Sequence, residues 1–162
     1  AQGLKDEVPE VADATRFGLF RTMPMQYEDK NITEARMLVA DSNFFDFFSF
    51  HVIEGNPKTA LKGPDKIVIT QSAAKKYFGE ECPIGKILLR GSERRASEVT
   101  AVVSDPPHNS HIAFDMILSG ESWGYMRNEQ WSSSNIYTYF KIHQGANPAK
   151  VQEALDVFIE LK

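Results

Sequence analysis

The segment from residue 41 to residue 86 constrains the fold of this chain more than any other part. Five phenylalanines lie within the seven residues 44–50. They are followed by a glycine turn, an apolar run at residues 67–69, a short amphipathic stretch and a second glycine, Gly79. Aromatic rings bury large apolar areas, and glycines commonly end helices. The segment therefore predicts short helices and strands that pack around a shared aromatic core.

Composition restricts the class of protein. Hydrophobic residues make up 42% of the chain and charged residues 25%, which is typical of a globular domain. A length of 162 residues suits one ordinary domain or two small lobes that share a core. The net charge of -4 argues against a nucleic-acid binder, because such a protein usually carries an excess or a stripe of basic residues.

The sequence contains no segment that could span a membrane. Its longest uninterrupted apolar run covers residues 37–40, whereas a transmembrane helix needs about 20 residues. The first residues lack the basic start and apolar core of a signal peptide, and we expect the chain to be a piece of a longer protein. Cys82 is the single cysteine, so an internal disulfide is excluded, and Glu80 and Glu81 beside it disfavour a reactive thiolate.

Two strands are predicted before the aromatic cluster, and a capped helix is predicted to carry it. Residues 15–22 alternate like a strand, and residues 32–40 end in a buried apolar run, so we expect the two to pair as a hairpin or a crossover. Asp41 or Ser42 can accept hydrogen bonds from the free N–H groups of a helix over residues 43–48. Packing on that helix accounts for the phenylalanines without any ligand.

Strands and short helices follow one another through the rest of the chain. Ser72 is the predicted N-cap of a helix over residues 73–78, and Gly79 is its predicted C-cap. Residues 112–118 alternate between apolar and other side chains, which predicts a strand with one buried face. Residues 135–142 predict a further strand.

An amphipathic helix is predicted at the end of the chain, with Asn147 as its cap and Pro148 as its first residue. The residues of its apolar stripe are Val151, Ala154, Leu155, Phe158 and Leu161. Strands outnumber helices along the chain and do not alternate strictly with them. We therefore predict an α+β fold, a mixed sheet with short helices packed on it.

No motif in the sequence is arranged for catalysis. Five residues separate Gly79 from Gly85, and Ile87 follows Lys86 where a phosphate-binding loop needs Ser or Thr. The histidine pair within residues 108–111 follows two prolines and lacks a third ligand at a suitable spacing. We predict that the protein is not an enzyme and has no catalytic residue, no cofactor and no metal site.

Binding to another molecule is suggested by one polar loop that carries large side chains. The candidate residues for contact with a partner or cargo are Trp123, Tyr125, Met126, Arg127 and Trp131. Trp, Tyr, Met and Arg are enriched in protein interfaces and their hot spots. The other interpretation, which the residues favour somewhat, is that these rings cover an edge of the core beneath a long loop.

Four segments together resemble a known family. They are S-N-F-F-D-F-F-S-F at residues 42–50, E-G-N-P-K-T-A-L at 54–61, I-V-I-T-Q-S-A-A-K-K-Y-F-G at 67–79 and P-I-G-K at 83–86. Their content and order resemble the periplasmic core domain of MacB/FtsX-type ABC transporter permeases. The close match covers about fifty residues, and looser similarity continues to the end of the chain.

The resemblance implies a single non-catalytic, extracytoplasmic domain over residues 1–162, on the periplasmic side of the bacterial inner membrane. It implies two lobes, a split α/β lobe and an inserted β-rich lobe within residues 80–120. Flanking transmembrane helices, an ATP-binding subunit or domain, a second permease copy and a periplasmic adaptor protein are the implied partners. Such a domain would transmit ATPase-driven movement to cargo or periplasmic partners during export or efflux.

A free-standing extracytoplasmic solute-binding or sensory module is the alternative interpretation. It requires a defined apolar pocket of several hundred Å³. Neither interpretation selects a cargo from the sequence.

Overall fold

The computed structural model describes residues 5, 8–20, 22–34, 36–127 and 136–160. Ten strands within these residues form one sheet. The strands are β1 Val11–Phe20, β2 Met23–Tyr27, β3 Lys30–Glu34, β4 Met37–Ala40, β5 Val52–Gly55, β6 Lys66–Thr70, β7 Ile87–Arg90, β8 Arg95–Val103, β9 Met116–Ser119 and β10 Ile136–Ile142. The helices are α1 Phe44–Phe47, α2 Gln71–Phe78, α3 Gly124–Arg127 and α4 Pro148–Glu160, with a 3-10 turn at Gly120–Ser122.

The strand order across the sheet is β10-β1-β4-β9-β6-β8-β7-β2-β3, and β5 pairs with β8 off this path. β4 and β9 run parallel, as do β6 and β8, whereas the other pairs are antiparallel. The predicted α+β class with a mixed sheet is confirmed. Within the described residues, none of the helices is long and apolar enough to cross a membrane.

The centre of the sheet is covered on both faces. Along β4, Met37 and Val39 enter one core together with α2, while Leu38 and Ala40 enter a second core together with Phe44 of α1. Successive side chains of a strand point to opposite faces, so a strand between two cores is apolar throughout. This arrangement explains why all four residues of β4 are buried.

The strand predicted over residues 112–118 is wrong in extent and in burial. β9 begins at Met116, and all four of its residues are buried. It lies between β4 and β6, in the middle of the doubly covered sheet. Ile112 and Phe114 precede the strand and are buried in the core beside α1. The alternation in this segment therefore reflects packing of an irregular stretch that leads into a central strand.

The predicted cap of α1 is also wrong. Asn43 occupies the N-cap position and makes no side-chain capping bond. The Asp41 carboxylate accepts from the Arg16 backbone N–H at 2.9 Å and from the Arg16 guanidinium at 3.1 Å. Asp41 thus joins β1 to the end of β4, because a charged tertiary partner competes for a carboxylate that could have capped a helix.

The cap of α2 lies two residues earlier than predicted. The Thr70 hydroxyl accepts from the Ala73 backbone N–H at 3.2 Å, whereas Ser72 donates its hydroxyl to Asp105 at 2.9 Å. Gly79 is confirmed as the C-cap, with φ of 64° and an N–H bond to the Lys75 carbonyl.

The phenylalanine cluster is a packed core, as predicted. The Phe44 ring lies 4.8 Å from Phe48, 5.8 Å from Phe50 and 5.9 Å from Phe17, centroid to centroid. Contacts between Phe50 and Phe114 at 5.1 Å extend the cluster beneath the sheet. Ring pairs at these distances stabilise a core beyond the area that they bury.

Further strand predictions hold with shifted bounds, whereas Leu161 and the side chain of Phe158, both in the predicted stripe of the last helix, lie outside the described residues. The strand predicted over residues 15–22 is β1, and residues 32–40 divide into the end of β3 and all of β4, with β4 antiparallel to β1. β2, which forms a hairpin with β3, was not predicted. Asn147 caps α4 by accepting from the Ala149 backbone N–H at 3.0 Å. The inserted lobe within residues 80–120 stays a prediction.

Candidate functional site

The tryptophan-bearing loop, which begins at Gly120 and includes Trp123, follows β9 directly. Gly120 begins the 3-10 turn, and a Cβ atom there would lie 2.9 Å from the Ala40 carbonyl oxygen, closer than real contacts allow. The Ser119 hydroxyl accepts from the Glu121 N–H and donates to the Leu61 carbonyl at 2.9 Å. The start of the loop is therefore held close to the ends of β4 and β9.

The predicted contact residues that the structure describes differ in their burial. Met126 is 4% exposed and belongs to the core beside α2, and Trp123 is partly buried against the same core. Trp131 and the side chains of Tyr125 and Arg127 lie outside the described residues. A role of these residues in contacting a partner stays a prediction.

Trp123 lines an open cleft of about 330 Å³. The residues around this cleft are Met23, Arg90, Gly91, Ser92, Glu93, Arg95, Ser122, Trp123 and Gly124. Arg90 is buried there and donates to Asp65 at 2.5 Å and to Ser97 at 2.8 Å. Arg95 pairs with Glu93 at 2.7 Å. Both cations are thus neutralised by the protein itself.

A second open cleft, of about 300 Å³, lies beside the start of β1. Arg16 crosses its wall: its guanidinium donates to both Asp41 oxygens at 3.1 Å and to the Met126 carbonyl at 2.9 Å. The bidentate pair joins Arg16 to Asp41. The third bond attaches Arg16 to α3, because Met126 belongs to that helix. The Arg16 side chain therefore links β1 to Asp41 after β4 and to α3.

The one strongly perturbed pair of ionisable groups in the described residues lies at the surface, away from both clefts. Lys86 donates to Glu81 at 2.9 Å, and this hydrogen bond raises the pKa of Lys86 and lowers the pKa of Glu81. Tyr27 also raises the pKa of Lys86, and the charge of Lys30 further lowers the pKa of Glu81. The shifts come from a surface ion pair beside the β2–β3 hairpin and give no sign of acid–base chemistry.

The histidines of the structure have protein partners or lie at the surface. His111 contacts the Tyr139 hydroxyl at 2.8 Å, His51 contacts the Ser104 hydroxyl at 3.3 Å, and His108 is exposed. Over the described ranges, no group of three or more His, Cys, Asp or Glu side chains could hold a metal ion.

β10 presents apolar side chains that the sequence reasoning did not select as a surface. Tyr137 is 50% exposed, Phe140 39% and Ile142 38%. β10 lies at one end of the sheet and pairs with β1 alone in the part of the chain that the structure describes. The available signal was the aromatic, β-branched composition of residues 136–142, which was used to predict the strand but not its position at an edge.

Comparison with known families identifies the architecture. The family model of the MacB-like periplasmic core domain matches residues 1–157. The chain belongs to this family. The MacB-like resemblance of the sequence is confirmed, and the domain is extracytoplasmic, on the periplasmic side of an ABC transporter permease.

Solved structures share the fold of this MacB-like domain over nearly its whole length. A domain of a permease protein from Porphyromonas gingivalis is 30% identical, with a TM-score of 0.83, and the match covers 99% of this chain and 74% of that one. The periplasmic region of MacB from Actinobacillus actinomycetemcomitans is 18% identical with a TM-score of 0.71, covering 98% and 72%. The extracellular domain of the noncanonic ABC-type transporter YknZ from Gram-positive bacteria is 19% identical with a TM-score of 0.65, covering 94% and 74%.

A comparison with curated proteins gives no match. The family assignment therefore rests on the family model and on the 30% identical permease domain, while the other two structures show the fold.

Proposed function

We propose that this MacB-like domain transmits movement, driven by a partner ATPase, from the membrane part of its permease to cargo or periplasmic partners during export. The domain itself performs no chemistry in this role. An ATP-binding subunit or domain supplies the energy, and two permease copies act as a dimer. A periplasmic adaptor protein is a further proposed partner, and an inserted lobe within residues 80–120 is proposed to vary with it.

The pairing of the first and last strands carries this proposal. β1 and β10 are antiparallel, with Val11 opposite Ile142 and Gly18 opposite Ile136. The His143 backbone N–H also donates to the Glu10 carbonyl at 2.9 Å. The chain therefore enters and leaves the sheet side by side, so that a displacement of membrane segments at either flank would act on the same edge.

The sheet supports transmission because it is continuous from that edge onward. β1 pairs with β4, and β4 pairs with the fully buried β9. Close-packed interiors have low compressibility and transmit strain. A push on β1 would thus move the described fold as a body rather than deform it.

The solute-binding alternative has less support. It needs an enclosed apolar pocket, whereas both clefts are open and carry charged side chains. Of the two predicted roles, we propose the permease role.

The test uses the full-length permease with its ATPase in lipid nanodiscs. Spin labels are attached through Lys58→Cys, an exposed turn position, with Cys82→Ser and any other cysteine replaced. The distance distribution between the labels of the two copies should change when ATP is trapped on a hydrolysis-deficient ATPase. Inserting roughly ten Gly/Ser residues between the domain and both membrane flanks should abolish the change, since such linkers behave as flexible coils.

The matched control carries the same insertion in the turn at residues 28–29, which does not connect the domain to the membrane. That variant should keep the ATP-dependent change. Identical label distances with and without ATP, or a response that survives the flanking insertions, would contradict the proposed function.

A further inference from the structure

The outer edge of β10 has the features of a strand that another strand completes. It is seven residues long, and no other strand pairs with that side within the described ranges. Natural sheets shield such edges with charges, prolines or short strands, since free N–H and C=O groups template pairing. β10 carries one charge, Lys141, which bonds the Asp46 carbonyl, and Tyr137, Phe140 and Ile142 leave apolar surface at this edge.

We propose that β10 pairs antiparallel with β10 of a second copy of this chain, which joins two sheets across a two-fold axis at Tyr139. The inference rests on the proposed dimeric permease and names the surface by which its periplasmic domains meet. A two-fold interface must be self-complementary. If one residue of the first copy contacts a second residue of the other copy, the symmetry axis repeats the same contact with the copies exchanged. The sequence of β10 can be tested against that requirement residue by residue.

Pairing centred on Tyr139 matches side chains of compatible chemistry. Ile136 would lie opposite Ile142 of the second copy, Thr138 opposite Phe140, and Tyr137 opposite Lys141. Apolar and aromatic–β-branched cross-strand pairs stabilise sheets, and a lysine beside a tyrosine ring adds a cation–π contact. No like charges would face one another across this register.

Lys141, the one cation of β10, already has partners within its own chain. Lys141 donates to the Asp46 carbonyl at 2.6 Å, and its ammonium lies 4.4 Å from the Phe47 ring centroid. Tyr137 stacks on Phe17 at 5.6 Å on the same face of the sheet. Both partners are therefore ordered before the second copy arrives, which reduces the entropy lost on association.

A single strand pair is a small interface, so tethering decides where it forms. Stable interfaces between free proteins bury about 1,200–2,000 Å² in total. Two domains anchored in one permease dimer meet at a high effective concentration, which favours contacts that free domains make weakly. The test is therefore made in the full-length permease in its membrane.

The first experiment is chemical cross-linking of Thr138→Cys in a background with Cys82→Ser and any other cysteine replaced. Residue 138 and its symmetry equivalent would be diagonal neighbours, about 7–8 Å apart. A short bismaleimide should then link the two copies. The matched control is Thr33→Cys, an exposed threonine on β3 at the opposite end of the sheet, which should not cross-link.

A charge series then tests the register itself. Y137K places like charges opposite Lys141 of the second copy and should lower the Thr138→Cys cross-linking yield roughly fivefold or more, whereas Y137E places an opposite charge there and should keep the yield. Both substitutions lose the same stacking on Phe17, and melting temperatures check that both variants fold. Equal yields for Y137K and Y137E, or a Thr138→Cys yield no higher than that of Thr33→Cys, would overturn the proposal and assign the edge to another occupant.

The two proposals fail separately. An absent cross-link together with ATP-dependent movement of the Lys58→Cys labels would overturn the β10 pairing and leave the proposed function standing. A strong cross-link together with label distances that do not change with ATP would overturn the proposed function and leave the β10 pairing standing.

Discussion

The two end strands of the sheet, β10 and β3, differ in length, in composition and in what surrounds them. β10 has seven residues with exposed apolar and aromatic side chains, whereas β3 has five residues and exposes Lys30, Asn31 and Thr33. The ammonium of Lys30 donates to the Tyr77 carbonyl at 2.7 Å, which places a charge at the β3 end. The β3 edge thus carries more of the features that prevent strand addition, whereas the one charge of β10, Lys141, is bonded to the Asp46 carbonyl.

The comparison shows that edge protection is selective within one sheet. The β3 end also carries the Glu81–Lys86 ion pair near Tyr27, so charges surround it. β10 instead rests on the aromatic core through Phe17, whose ring lies 5.5 Å from Tyr139 and 5.6 Å from Tyr137. The β3 end contacts the core through Tyr27, whose ring lies 4.4 Å from Phe78, so the two ends rest on different aromatic contacts.

Removing the aromatic anchor of β10 should have the largest effect. Phe17 is 3% exposed and contacts both tyrosines of β10 as well as Phe44. We expect Phe17→Ala to lower the free energy of unfolding by about 3–5 kcal/mol, measured by urea denaturation. Tyr27→Ala, at the β3 end, removes a half-buried ring and should cost about 1–2 kcal/mol. Equal losses would show that the two ends are anchored alike.

The next largest effect on stability should come from breaking the ion pairs that lie towards the two ends of the sheet. Asp41→Ala leaves Arg16 of β1 without its carboxylate, and Asp65→Ala does the same to Arg90 of β7. Each should lower the free energy of unfolding by about 1–3 kcal/mol. In hydrogen–deuterium exchange, Asp41→Ala should speed exchange in residues 120–127 more than Asp65→Ala does, because Arg16 also bonds Met126, whereas Asp65 reaches this segment only through its backbone N–H to Ser122. Unchanged exchange there would refute the coupling of β1 to the loop.

A smaller effect should follow from removing the protection of β3. Asn31→Tyr combined with Thr33→Phe would place exposed aromatic residues on that strand. Cross-strand pairs contribute up to about 1 kcal/mol each, so two such pairs should strengthen self-association of the 162-residue chain by no more than roughly thirtyfold in sedimentation experiments. Association that stays at the parent level would show that features other than these side chains keep β3 from pairing.

The smallest effect concerns pH. The Lys86 hydrogen bond lowers the pKa of Glu81 below its ordinary value of 4.5, so folding favours the carboxylate. The stabilisation is therefore present above pH 4.5 and is lost as the pH falls through the lowered pKa of the folded state. Glu81→Gln should be slightly less stable than the parent at pH 7, and the difference should vanish once the pH lies below the lowered pKa of Glu81. A difference that persists in acid would assign it to something other than the ion pair.

Local patterns predicted several elements well because neighbouring residues alone decide them. Gly79 ends α2, since a residue at positive φ after a helix favours glycine, and Asn147 caps α4 with its own side chain. The apolar run at residues 67–69 forms the middle of β6, and all three of its residues are buried. These features depend on interactions that span a few residues.

The caps and strand that were wrongly predicted depend on distant partners. Asp41 bonds Arg16 rather than α1, and Ser72 bonds Asp105, because the fold brings these charges within reach. β9 is apolar on both faces since it lies between β4 and β6, which periodicity within residues 112–118 does not reveal. Met126 is a candidate contact residue by its type alone, and only the fold shows that its side chain is buried.

The sequence by itself determined the family, the α+β class and the packed role of the phenylalanine cluster, since the four motifs and the aromatic density are local properties of the chain. Only the tertiary structure decided which strands lie at the edges. That choice follows from the pairing of β1 between β4 and β10, contacts between residues up to about 130 positions apart such as Val11 and Ile142. The same seven residues would be buried in a central strand, whereas among the described strands β10 lies at the end of the sheet and leaves Tyr137, Phe140 and Ile142 exposed.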